Sequence, residues 1–262
     1  MTSNRYGLPR AIPESVKREV RQRCGFGCVI CGLGFYEYEH FDPDFAYAKE
    51  HMPRGMTPLC SQCNRKRARG RLSAETVSRW NAHPKCREQG FANEWFDFGV
   101  EPIEVLFAGV SFYECQHLVV IDDVPLLGVL PPAAVGQPVQ LSGRFADRYG
   151  RTSLKIERNE WRAATHNWDV ECVGPRITVR KGRGDIASML RMDPPHRLVV
   201  ERLDMYLHGV CLVGDEKTLT FSMNGRGWTK FNACSMQHCH IGIGIANGGP
   251  PAANASLFDD IF

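Results

Sequence analysis

Two Cys-x-x-Cys pairs, Cys28 with Cys31 and Cys60 with Cys63, fall in the first quarter of the chain. Each spacing lets two thiolates on one turn converge on an ion. Two such pairs therefore supply the four ligands of a tetrahedral Zn²⁺ site and close the intervening chain into a loop. The other seven of eleven cysteines are scattered, and the total is odd. The expected state is reduced thiols around one structural zinc, not a disulfide framework.

Inside that loop lies the dipeptide Glu39-His40, and Cys63 runs directly into Asn64 and the basic stretch from Arg65 to Arg71. A carboxylate and an amide oxygen suit a hard cation such as Mg²⁺ or Mn²⁺ better than zinc. An imidazole with an ordinary pKa near ~6.5 can take a proton from water at neutral pH. Residues 1–90 hold 16 Lys and Arg against 9 Asp and Glu, whereas the remainder holds 16 against 20. This asymmetry places a polyanion-facing surface beside the motifs.

The pattern predicts a helix over residues 13–24, where Val16, Val20 and Cys24 share a face, and Gly25 stops it. Cys24 is assigned to core packing. A short aromatic strand over residues 35–41 should carry His40 near its end. The second cysteine pair should open a helix containing Asn64 to Arg69, and Ser73 should cap another over residues 74–80. From about Glu101, short Val-, Ile-, Leu- and Phe-rich runs alternate with Gly, Pro and Asp breakers. These predict a mainly-β domain, either a sandwich or a β-solenoid, with the Pro131 to Pro138 stretch as a divider. The expected fold class is thus α+β, with residues 1–90 a small metal-held domain, 100–250 the β domain and 251–262 a tail.

The segments Cys28-Val-Ile-Cys31, Tyr38-Glu39-His40-Phe41-Asp42-Pro43 and Leu59-Cys60-Ser-Gln-Cys63-Asn64 together resemble the zinc-containing branch of the HNH (ββα-metal) endonucleases. The resemblance covers roughly residues 10–85. It implies that Cys28, Cys31, Cys60 and Cys63 bind structural Zn²⁺, that Glu39 and Asn64 ligate a catalytic Mg²⁺ or Mn²⁺, and that His40 activates water. Arg65, Lys66, Arg67, Arg69 and Arg71 would then hold the DNA backbone.

Two departures stand out. Glu39 occupies a position that is Asp in many members, and Gly55, Met56 and Thr57 stand where many carry an Asn that orients the base. His51, in the loop, is a lesser candidate for contact with substrate or metal. Cys234, His238, Cys239 and His240 mimic a second metal cluster, but strand alternation disfavours one.

The expected activity is metal-dependent hydrolysis of DNA phosphodiesters, with RNA not excluded. The two-part layout suggests restriction or anti-phage defence, the β domain supplying targeting, sensing or homo-oligomerisation. The alternative is a zinc-dependent nucleic-acid-binding or interaction module with a decayed nuclease site. No apolar run approaches the length of a membrane span and no leader-like core begins the sequence, so a cytoplasmic enzyme without a membrane partner is expected.

Overall fold

The structure is a computed structural model that describes residues 3–223, 225–246 and 248; the tail expected over 251–262 lies outside the described residues. The fold is mixed α+β and mostly β. No helix among the described residues is long and apolar enough to cross a membrane. The chain divides into two compact units, one running to Glu94 and taking in Ala163–Glu171, the other holding Trp95–Arg162 and the chain from Cys172 onward.

The N-terminal unit begins its regular structure with α1 (Glu14–Cys24), whose last turn is closed by Gly25 at φ 78°, a left-handed position that suits glycine. Next come β1 (Glu37–His40) and β2 (Met56–Leu59), then α2 (Ser61–Ala68), α3 (Ala74–Ala82) and α4 (Lys85–Gln89). Ser73 caps α3 by accepting the Thr76 N–H at 3.1 Å. β1 and β2 are antiparallel, with Glu39 opposite Thr57 and His40 opposite Met56. Their pairing continues into the loop, where the Gly55 carbonyl accepts from the Phe41 and Asp42 N–H groups.

One core cluster of this unit gathers Val20 and Cys24 from α1, Cys28 and Val29 from the first cysteine turn, Met56 and Leu59 from β2, and Cys60 and Cys63. Arg23 ties α1 to what surrounds it, donating to the Pro53 and Met56 carbonyls at 2.7 and 2.6 Å and to Asn81 at 3.1 Å.

The return segment Ala163–Glu171 contributes a buried charge pair. Arg21 is 1% exposed and Asp169 is 0% exposed. The guanidinium meets the carboxylate through two parallel hydrogen bonds of 2.9 and 2.8 Å, and also donates to Glu171 and to the Tyr38 hydroxyl at 2.9 Å each. Removing one partner of such a pair strands a charge away from water. Asp169→Ala is expected to lower the unfolding free energy by roughly 3–5 kcal/mol. Urea unfolding followed by tryptophan fluorescence tests this, and a change under ~1 kcal/mol would mean the pair is solvated.

The second unit opens with the hairpin β4 (Glu104–Phe107) and β5 (Val110–Tyr113), after β3 (Phe91–Trp95) has led the chain out of the first. One sheet follows the order β19-β6-β7-β8-β9. Its strands are β6 (His117–Ile121), β7 (Val124–Leu130), β8 (Gln140–Ala146), β9 (Thr152–Glu157) and β19 (Ile241–Ile245). β10 (Glu160–Ala164) and β11 (Asp169–Val173) carry the chain into and out of the return segment.

The other sheet is a meander of β12 (Arg176–Gly182), β13 (Asp185–Asp193), β14 (Arg197–Leu207), β15 (Val210–Asp215), β16 (Thr218–Met223) and β17 (Thr229–Asn232). The first part of β14, Arg197 to Val200, pairs in parallel with β4, and its second part, Arg202 to Leu207, pairs with β15. Phe107 of β4 and Phe145 of β8 meet with ring centroids 6.4 Å apart, so side chains of both sheets share a core. Successive antiparallel neighbours dominate, unlike the stacked coils of the solenoid alternative. The Pro131 to Pro138 stretch is not a divider, because it joins β7 to β8 and those strands pair directly, Leu130 opposite Gln140.

Candidate active site and cysteine cluster

The first cysteine pair sits on a turn held by backbone bonds from Cys28 N–H to the Leu33 carbonyl at 2.8 Å and from Gly32 N–H to the Cys28 carbonyl at 2.9 Å. The second opens α2: Cys60 is its N-cap, and its sulfur accepts the Cys63 N–H at 3.4 Å. Val29 N–H donates to the Pro58 carbonyl at 3.1 Å, which pins the two turns together. The sulfurs of Cys28, Cys31, Cys60 and Cys63 all lie within 4.8 Å of one another. Those separations suit four thiolates around one zinc with Zn–S bonds of ~2.3 Å. Cys31 alone of the four is exposed.

Electrostatics favour the same reading. The Cys31 thiol, as a hydrogen-bond partner, pulls Cys28 down to about 5. That partnership with Cys28, together with burial, pushes Cys31 well above the ordinary thiol range. Burial and the Cys28 charge push Cys63 up to about 12. One thiolate in this cluster opposes the next, and a bound dication removes that opposition.

Within the described residues this is the only group of three or more His, Cys, Asp or Glu side chains gathered closely enough to hold a metal. The stretch from Cys234 to His240 makes no such cluster. His238 faces Glu114, His240 faces Gln116, and Cys239 faces Cys115.

On the adjoining strand pair, Glu39 is half-buried and accepts a 2.6 Å hydrogen bond from the Asn64 amide; the same amide reaches Glu37 at 3.3 Å. Burial raises the Glu39 carboxyl above its ordinary value, opposed by the Asn64 hydrogen bond and by Arg67. Glu37, absent from the predicted site, joins Glu39 because residues two apart on a strand share a face. That alternation was readable in the sequence.

His40 is 6% exposed at the end of β1. Its Nε2 lies 3.2 Å from Nδ1 of His51, whose Nε2 lies 2.9 Å from the Pro9 carbonyl. A carbonyl only accepts, so His51 carries its hydrogen on Nε2 and, when neutral, offers a bare Nδ1. His40 must then donate from Nε2, which leaves its own Nδ1 as the basic nitrogen. Burial, then the nearby His51 and Arg67, hold His40 down to about 4, so it stays neutral through the physiological range.

No side chain fits at Gly55. A Cβ on Gly55 would collide with the Asp42 carbonyl. His51 touches His40, a contact across a loop that no local spacing rule announces.

The basic run divides. Arg65, Lys66, Arg69 and Arg71 are exposed, at or beyond the C-terminal end of α2. Arg67 is half-buried and paired with Asp44, so it anchors the loop after β1. The chain matches no protein-family model, no curated protein and no solved structure.

Proposed function

We propose that the N-terminal unit is an HNH-type ββα-metal nuclease domain, stapled by zinc at Cys28, Cys31, Cys60 and Cys63, that hydrolyses DNA phosphodiester bonds. The observation carrying this reading is the join between β1 and α2: Glu39 and Asn64 meet at 2.6 Å, with His40 next in the chain. The half-buried carboxylate and adjacent amide fit a hard divalent cation, and Glu39 and Asn64 would hold it, with Glu37 at the margin. Mg²⁺ or Mn²⁺ bound there supplies neutralisation of phosphate charge and stabilisation of the departing 3′-oxygen.

The protein's own part is proton handling and positioning. His40, with its tautomer set by His51, takes a proton from water at Nδ1 as that water attacks phosphorus. Arg67 keeps the loop after β1 in place through Asp44. Arg65, Lys66, Arg69 and Arg71 contact phosphates without reading bases.

Incubation of the zinc-loaded chain with supercoiled plasmid, single-stranded DNA and RNA, with and without Mg²⁺ or Mn²⁺, tests the reading. Metal-dependent nicking supports it; retention of DNA without cutting in every condition would make the unit a binding module. A paired neutralisation, Arg65→Gln with Lys66→Gln, should flatten the slope of log affinity against log salt by roughly one to two units, alike for unrelated sequences. An unchanged slope places the DNA path elsewhere.

A further inference from the structure

Cys115 lies in the connection from β5 to β6, and Cys239 lies in the connection from β18 (Cys234–Gln237) to β19. β18 pairs in parallel with β5, and β19 in parallel with β6, so the two connections run side by side. Backbone bonds hold them there: His238 N–H to the Tyr113 carbonyl at 3.1 Å, Gln116 N–H to the Cys239 carbonyl at 3.1 Å, and His117 N–H to the His240 carbonyl at 2.9 Å. Between those bonds the Cys115 and Cys239 sulfurs stand 2.6 Å apart. In the four-cysteine cluster the contacting sulfurs of Cys31 and Cys60 stand at 3.6 Å.

We propose that Cys115 and Cys239 form a disulfide that staples the two last described strands to the β unit. Among the described residues β18 is paired only with β5, and β19 only with β6. Each is therefore held along one edge, and a covalent link at their shared connection fixes both. The link joins residues 124 apart in sequence, a span at which a cross-link removes much of the freedom of the unfolded chain. The neighbouring histidines do not turn the pair into a metal site, since His238 engages Glu114 at 2.6 Å and His240 engages Gln116 at 2.7 Å.

The oxidant is a low-molecular-weight disulfide. Cys239 is part-exposed whereas Cys115 is buried, so the Cys239 thiolate attacks first. It forms a mixed disulfide and releases one small thiolate. The Cys115 thiolate then attacks the Cys239 sulfur and expels the second small thiolate. Two cysteine thiols are oxidised, one small disulfide is reduced to two thiols, and the cysteine protons pass through solvent to the leaving thiolates.

Zinc-loaded full-length protein equilibrated with oxidised glutathione, then digested without reductant, should yield a peptide pair joined through Cys115 and Cys239, about 2 Da lighter than the reduced pair. The Tm of the oxidised chain should exceed that of the reduced chain by roughly 5–15 °C. C115S and C239S should abolish both the linked peptide and the rise. Because the Cys239 side chain is part-exposed, C239S carries the comparison even where C115S disturbs packing. A glutathione adduct that persists on Cys239, two free thiols, or linkage of either residue to another cysteine would overturn the proposal.

Discussion

Stripping zinc with a strong chelator is expected to unfold the N-terminal unit as a whole. Cys28, Cys60 and Cys63 are part of the same core cluster as Val20, Val29, Met56 and Leu59, so the sulfurs are packing groups as well as candidate ligands. That cluster contributes little on its own, whereas a structural zinc site supplies roughly 10–16 kcal/mol of apparent binding free energy that is also folding free energy. Loss of one zinc per chain should therefore coincide with protease cleavage throughout β1, β2 and α2, and Cys60→Ser should behave like the chelated protein. A zinc-free chain that resists proteolysis in this region would refute the coupling.

His40→Ala is expected to reduce cleavage by roughly 10²-fold or more, with zinc content and DNA affinity nearly unchanged, because in the proposed mechanism the imidazole acts on water and not on binding. Glu39→Ala and Asn64→Ala should instead raise the Mg²⁺ or Mn²⁺ concentration needed for activity. His51 separates orientation from chemistry. His51→Ala should lower kcat more than it changes KM, and His51→Asn should recover part of the loss, since a carboxamide oxygen can accept the same His40 Nε2 hydrogen. Equal activity in all of these variants would show that the site is misassigned.

What the sequence made legible is what short-range spacing controls. Apolar residues four apart and Gly25 predicted α1, and Ser73 marked the start of α3. Val- and Ile-rich runs predicted a mainly-β region from about Glu101, and the Cys-x-x-Cys spacing predicted that four thiols gather. Contacts between residues distant in sequence were not legible. Nothing near Asp169 signals that its partner is Arg21, and nothing near His51 signals Pro9 and His40. The Pro131 to Pro138 stretch reads as a boundary because proline interrupts strands, yet a connection leaves the two strands it joins free to pair. Arg67 reads as one more phosphate contact within a basic run; only the fold supplies Asp44.

The ion pair between Arg21 and Asp169 has a consequence for the order in which the protein is made. Its two halves are separated by 148 residues, and β4 through β9 are all translated in the interval. A nascent chain that has emerged only as far as Glu94 carries the Arg21 guanidinium with Glu14 at 3.9 Å but without its two nearer carboxylate partners, Asp169 and Glu171. The N-terminal unit, which leaves the ribosome ahead of the β unit, completes its fold after most of one β sheet has already been synthesised. For the same reason a gene fragment ending at Glu94 is not a transplantable cassette: a fusion that borrows this unit must bring Ala163–Glu171 with it.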